Sequence, residues 1–174
     1  MRITDDGLLE GVRYIASPNC DARPAGAQIE LVVIHNISLP PGEFGGPGIV
    51  DLFLNRLDGA AHAYYNAIAH LRVSAHFLIR RDGEIIQFVR CAQRAWHAGV
   101  SLWHGRDSCN DFSVGIELEG ADDIPFEDAQ YNQLVKLIAA IKERYAITDI
   151  AGHSDIAPGR KSDPGGAFDW SRIK

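Results

Sequence analysis

Ile29-Glu30-Leu31-Val32-Val33-Ile34 is nearly continuous in apolar and β-branched residues, and His35 follows it at once. A run of this kind suits a strand covered on both faces, as in the middle of a sheet with other elements packed on it. Just beyond lies Leu39-Pro40-Pro41-Gly42-Glu43-Phe44-Gly45-Gly46-Pro47-Gly48, whose prolines and glycines exclude regular structure. The reading is a buried strand that gives way to an irregular loop at His35.

The remaining elements are read outward from that strand. Ile49 to Leu57 has helical spacing, with Val50, Phe53, Leu54 and Leu57 on one side. Ala75–Ile79 and Glu84–Val89 flank Arg80-Arg81-Asp82-Gly83, and Asp-Gly between two apolar runs predicts a hairpin. Ser113 to Glu119 alternates, with Val114, Ile116 and Leu118 facing one way and Glu117 and Glu119 the other. A helix follows, its stripe formed by Tyr131, Leu134, Val135, Ile138, Ile141 and Tyr145. Asp122, Asp123, Glu127 and Asp128 crowd its start, where the helix dipole favours negative charge. Ala146 to Ala151 reads as a last short strand, ended by Gly152-His153. The fold class expected is α/β (α+β), a central mixed β-sheet flanked by helices.

Composition narrows the functional class. A chain of 174 residues with 46% apolar and 23% charged residues fits one globular domain, residues 1–174. No run approaches the roughly 18–20 apolar residues of a membrane helix. The first residues, Met1-Arg2-Ile3-Thr4-Asp5-Asp6-Gly7, carry acids where a signal peptide has its basic end, so a cytoplasmic protein is expected. Cys20, Cys91 and Cys109 are widely spaced and odd in number, which favours reduced thiols over a disulfide framework or thiolate metal site. A net charge of −6 without a basic tract argues against a bulk nucleic-acid binder.

The chemistry centres on two of the seven histidines. A single imidazole is more often a hydrogen-bonded structural residue than a ligand. His35 and His153, however, each sit where an apolar strand meets a Gly/Pro-rich loop, and open sheets build their sites at strand ends. If the two strands are neighbours, both rings converge on one point. The loop after His153 runs through Asp155, Pro158, Lys161, Asp163 and Pro164, and a restricted, chemically loaded loop tends to be functional. Two histidines and one carboxylate would leave a tetrahedral zinc one open position, the catalytic pattern. The same charges equally suit the solvation of a turn, and composition leaves both readings open. Glu117 is the candidate general base: it is either desolvated, with its pKa raised toward useful values, or simply exposed. Glu119 points the same way, so strand direction alone does not separate the two.

Several longer blocks carry a resemblance. They are His35-Asn36-Ile37-Ser38-Leu39-Pro40-Pro41-Gly42, His70-Leu71-Arg72-Val73-Ser74-Ala75-His76, Arg94-Ala95-Trp96-His97-Ala98-Gly99-Val100, Cys109 to Gly120, Gly152 to Gly165, and Phe168-Asp169-Trp170. Together they span the chain from about the first strand to its end. In them the sequence resembles the cytoplasmic 1,6-anhydro-N-acetylmuramyl-L-alanine amidases of the AmpD family, within the wider amidase and peptidoglycan-recognition fold. The resemblance implies Zn2+ held by His35, His153 and Asp163, Glu117 rather than Glu119 as base, and Lys161 as stabiliser of the transition state. Ser154, Gly159 and Ser162 depart from the family's usual residues, but no matched catalytic position is lost.

The resemblance also implies an anhydro-muropeptide substrate cut at its lactyl amide in peptidoglycan recycling, an effect on β-lactamase induction, and no protein partner. Arg72 and Arg106 are candidates for the peptide carboxylates, which guanidinium geometry suits. Trp96 offers a flat wall for the sugar and Asn36 a polar contact beside the metal. The alternatives are a core aromatic for Trp96 and a surface ion pair for Arg72. His76 and His97 fit either the surroundings of the site or the sheet, and His62 and His104 read as structural or surface residues. Two rival functions remain: a module that binds peptidoglycan without cutting it, and a broader amidase acting on intact wall. The full set of five ligand and catalytic residues argues against the first, and the lack of a signal peptide against the second.

Overall fold

The structure, a computed structural model, describes residues 1–173. The strands in chain order are β1 (Arg13–Tyr14), β2 (Cys20–Ala22), β3 (Leu31–Ile37), β4 (Phe77–Ile79), β5 (Ile85–Gln87) and β6 (Gln93–Ala95). They continue with β7 (Leu102–Trp103), β8 (Arg106–Asp107), β9 (Ser113–Glu119) and β10 (Asp149–Gly152). The helices are α1 (Gly48–Phe53), α2 (Ala63–Ile68), α3 (Asp128–Arg144) and α4 (His153–Ile156). Six strands form the main sheet in the order β1-β5-β4-β9-β3-β10. Strands β4, β9, β3 and β10 are mutually parallel and β5 is antiparallel to β4, so the sheet is mixed, as expected. Two short antiparallel pairs, β2 with β6 and β7 with β8, stand outside it.

Alternation along the two longest strands divides the core. Val32 and Ile34 of β3 and Val114, Ile116 and Leu118 of β9 face α3, meeting Tyr131, Leu134, Leu137, Ile138 and Ile141. Burying each such side chain stabilises the fold by about 1.5–3 kcal/mol. On the other face, Leu78 and Ile86 pack with Ile49, Leu52 and Phe53 of α1, and Leu31 and Val33 pack with Phe112 and Ile156. Both faces are thus covered, and all of β9 is buried.

Several sequence expectations are corrected here. The first strand begins at Leu31 and runs through His35 to Ile37, because β9 pairs with it residue by residue as far as Ile37 opposite Glu119. The helix expected to reach Leu57 stops at Phe53: Asn55 turns left-handed (φ 58°) and exchanges side-chain hydrogen bonds with Asn19 at 2.9 and 3.0 Å. Val135 leaves the expected stripe and is 45% exposed, lying beside rather than on the buried face of α3. Only Glu127 and Asp128 stand at the start of α3, whereas Asp122 and Asp123 precede it in a turn and Asp122 serves another purpose described below. The hairpin at Asp82-Gly83 forms, although its strands are shorter than the apolar runs. All three cysteines are free. Among the described residues no helix is long and apolar enough to cross a membrane.

Candidate active site

Register brings the site residues together. His35 of β3 lies directly beside Glu117 of β9, and Gly152 of β10 beside Ile34, so His153 follows next to His35. Strand β3, which carries His35, and β10, which ends just before His153, are therefore parallel neighbours, which was the condition for convergence. Asp163 returns on the loop after α4, which is tied back by a hydrogen bond from Ser154 N–H to the Asp163 carbonyl at 2.9 Å. The loop packs closely behind: a methyl group on Gly165 (φ 80°) would come within 2.2 Å of Asp122 Cα, and Ala167 N–H donates to the Asp122 carbonyl at 3.0 Å.

His35 Nδ1, His153 Nδ1 and Asp163 Oδ2 meet at one point, with separations of 3.0 Å between the imidazoles and 3.1 and 3.0 Å from each to the carboxylate. Tetrahedral zinc with bonds of about 2.0–2.1 Å would hold its ligands roughly 3.3 Å apart, so this triangle fits the metal with little adjustment. The proton inventory agrees. His153 Nε2 is 3.0 Å from the Ala98 carbonyl, which can only accept, so the ring proton sits there and Nδ1 presents a lone pair. Burial lowers His35 to about 4, which keeps it neutral near pH 7 despite the neighbouring Asp163. For Asp163 burial alone would raise the pKa, but the contacts with His153 and His35 hold it well below the usual carboxylate range. Lone pairs and a negative charge thus converge in a small volume, and a cation relieves that arrangement. The same three residues form the candidate metal cluster among the described residues.

A cavity of about 400 Å3 opens over this triad and is also lined by Glu117, Lys161, Asn36, Trp96, His97 and Asp122. Glu117 is buried, and its Oε2 finds no hydrogen-bond partner. Burial pushes its carboxyl well above the usual range; the Asp163 charge adds to the rise and the Lys161 ammonium opposes it. Glu119 is as buried but fully engaged, accepting from Arg80 Nη1 at 2.8 Å and from Gly45 N–H at 2.7 Å. The two carboxylates that strand direction could not separate are separated by their partners.

The remaining predicted residues divide. Asn36 lines the cavity and donates to Asp122 Oδ1 at 2.7 Å. Trp96 also lines it, with its backbone N–H on Ser74 Oγ and its indole N–H on Asp21 Oδ1 at 3.1 and 3.2 Å. Arg72 is exposed, its guanidinium donating to the carbonyls of Ala69, His70 and Leu71. Arg106 does not reach this cavity: it pairs with Glu30 and lies 3.9 Å over the Phe112 ring, beside the start of β3 rather than its end. His62 caps α2 by accepting from Tyr64 N–H, and His104 sits in the β7–β8 turn with φ 49°. Asp122 was missed as a cavity residue. Its place just past the end of β9, a parallel central strand, is the signal that could have found it.

Comparison with known proteins places the chain in a family. The family pattern for N-acetylmuramoyl-L-alanine amidase matches residues 25–166. The chain is 56% identical over 173 residues to the 1,6-anhydro-N-acetylmuramyl-L-alanine amidase AmpD of Enterobacter cloacae, covering 98% of this chain and 92% of the relative. A crystal structure of a selenomethionine derivative of AmpD superposes with a TM-score of 0.97 at 56% identity, covering 99% of this chain and 97% of the other. More distantly, Escherichia coli AmiD in complex with anhydro-N-acetylmuramic acid-L-Ala-D-γ-Glu-L-Lys superposes with a TM-score of 0.62 at 31% identity, over 87% of this chain and 59% of the other. With the pattern matching residues 25–166, and sequence and fold in accord over nearly the whole length, the chain belongs to the N-acetylmuramoyl-L-alanine amidase family, in its AmpD branch.

Proposed function

We propose that the protein hydrolyses the amide joining the lactyl group of 1,6-anhydro-N-acetylmuramic acid to the L-alanine of the stem peptide, with zinc held by His35, His153 and Asp163. One observation carries the reading: a buried carboxylate with an unpartnered oxygen, Glu117, lines the same cavity as three converging metal-ligand atoms. A zinc ion there supplies Lewis acidity toward the amide carbonyl and lowers the pKa of a water. Glu117 takes the proton from the attacking water and returns it to the leaving amine, the work for which a raised carboxyl pKa is suited. Lys161, whose ammonium is engaged by no hydrogen bond or ion pair among the described residues, balances the oxyanion that develops. Trp96 offers its ring to the sugar, and Asn36 a polar contact held in direction by Asp122. Arg72, exposed beside the cavity-lining Leu71 and Val73, is the candidate contact for the peptide carboxylates, whereas Arg106 lines a separate, smaller cavity with Glu30 and Phe112.

The substrate choice is supported by the AmpD relatives, whose name states this amidase activity, and by the anhydromuropeptide bound to AmiD. A cytoplasmic setting, peptidoglycan recycling and an influence on β-lactamase induction rest on the family resemblance alone. The test incubates purified protein of measured zinc content with anhydro- and reduced-muramyl peptides and follows release of the peptide by mass spectrometry. Cleavage of the anhydro form is the expected result. No release from either substrate at full zinc occupancy would favour a module that binds without cutting.

A further inference from the structure

His97 touches the metal triad without belonging to it, and the chemistry above gives it no task. Its ring lies directly on the sheet at Gly115, where a methyl group would come within 2.5 Å of His97 Cγ and 2.6 Å of Nδ1. Glycine inside a buried strand sacrifices packing, and it commonly marks the close approach of another group. His97 is that group. Its main chain is fixed as well, since the N–H groups of His97 and Ala98 both donate to Asn110 Oδ1, at 3.1 and 2.8 Å.

Proton bookkeeping orients the ring. Ser113 O–H donates to the Cys109 carbonyl at 2.6 Å, which leaves Ser113 Oγ to accept from His97 Nε2–H at 3.3 Å. A neutral imidazole has one N–H, so His97 Nδ1 accepts, and the donor 3.0 Å away is His35 Nε2–H. Both metal histidines therefore send their outer N–H groups to consecutive residues of one loop: His35 to the ring of His97, and His153 to the carbonyl of Ala98.

We propose that His97 is a positioning residue of the metal centre: it accepts the His35 Nε2–H, fixes the tautomer and plane of that ring, and thereby aims the His35 Nδ1 lone pair at the metal. The inference rests on the zinc reading given above. Zinc affinity of the whole protein, measured by competition with a chromophoric chelator, tests it. His97→Phe keeps an aromatic ring but removes the acceptor, and it should weaken zinc binding about 10–100-fold. His97→Asn, whose amide oxygen can accept from His35, should recover most of that loss. Gly115→Ala should weaken zinc with every ligand and His97 itself intact. In zinc-free protein, long-range 15N–1H spectra should show His35 protonated on Nε2. Wild-type zinc affinity in His97→Phe, equal weakness in His97→Phe and His97→Asn, or His35 protonated on Nδ1 in the wild-type protein would each overturn the proposal. A wild-type protein that binds no zinc would instead overturn the metal reading itself.

Discussion

Glu117 and Glu119 lie two residues apart on β9, face the same side of the sheet and are both buried, yet their surroundings differ in kind. Around Glu119 every charge is answered: Arg80, itself 12% exposed in its side chain, pairs with the carboxylate, while the backbone N–H of Gly45 closes the loop beside it. Around Glu117 an oxygen is left unanswered, and the charges that act on it are the negative Asp163 and the positive Lys161. A satisfied buried ion pair holds structure, and an unsatisfied carboxylate is destabilising until something else uses it. The comparison teaches that position on a strand assigns a side chain to a face, whereas its partners assign it to stability or to chemistry.

The largest effect that would break this contrast is on turnover. Glu117→Gln should lower kcat by roughly 10²–10⁴-fold with zinc content unchanged. Near-normal turnover in that variant would remove Glu117 as the base. The same substitution should help the zinc-free fold. Because burial raises the folded pKa of Glu117 above its ordinary value of 4.5, the folded state holds the proton more tightly than the unfolded chain. The Glu117 contribution to the stability of the zinc-free wild type should thus be fully present below that ordinary value and be lost as pH rises from it through the raised pKa. Glu117→Gln should lack this loss, as urea titrations of both proteins across pH would read.

Glu119→Ala should do the reverse, costing about 3–5 kcal/mol in unfolding free energy by stranding Arg80, while the folded fraction keeps its kcat. A variant as stable as wild type would mean that Arg80 finds other partners. Lys161→Ala tests the positive side of the Glu117 environment. It should cost roughly 10²–10³-fold in kcat, about 2.7–4 kcal/mol in transition-state energy, with little change in melting temperature. The smallest effect belongs to Arg106→Ala. With 51% of its side chain exposed and Glu30 as its partner, it should cost no more than about 1 kcal/mol and leave KM for the muropeptide unchanged. A large rise in KM would return Arg106 to the substrate.

Much of this was legible in the sequence because it depends on local pattern. The apolar, β-branched run at Ile29–Ile34 and the alternation of Ser113–Glu119 each identify an element without tertiary information, while the loaded loop to Asp163 left a ligand and a solvated turn equally open until the resemblance was weighed. The resemblance then selected Glu117 from an ambiguous pair. What stayed hidden depends on pairing between distant segments. That β3 runs past His35 is set by the length of β9, not by its own composition. That Val135 is exposed depends on which arc of α3 the sheet covers. That Arg106 lies beside Glu30, outside the cavity over the triad, depends on the pairing of β7 with β8. Gly115 was a visible clue, since glycine in the middle of a buried strand asks what lies upon it, but the answer, His97, comes from another part of the chain.

The pairing of β10 with β3 has a consequence for the order of events during synthesis. His35 and His153 are 118 positions apart, and the strand that brings the second to the first, β10, follows β3, β9 and α3 in the chain. While the polypeptide is being made N-terminus first, β3 and β9 can pair and α3 can cover them, but of His35, His153 and Asp163 only the first is yet in place. A cation held by all three would therefore come only after β10 has paired with β3, and a product that stops short of β10 offers it a lone histidine.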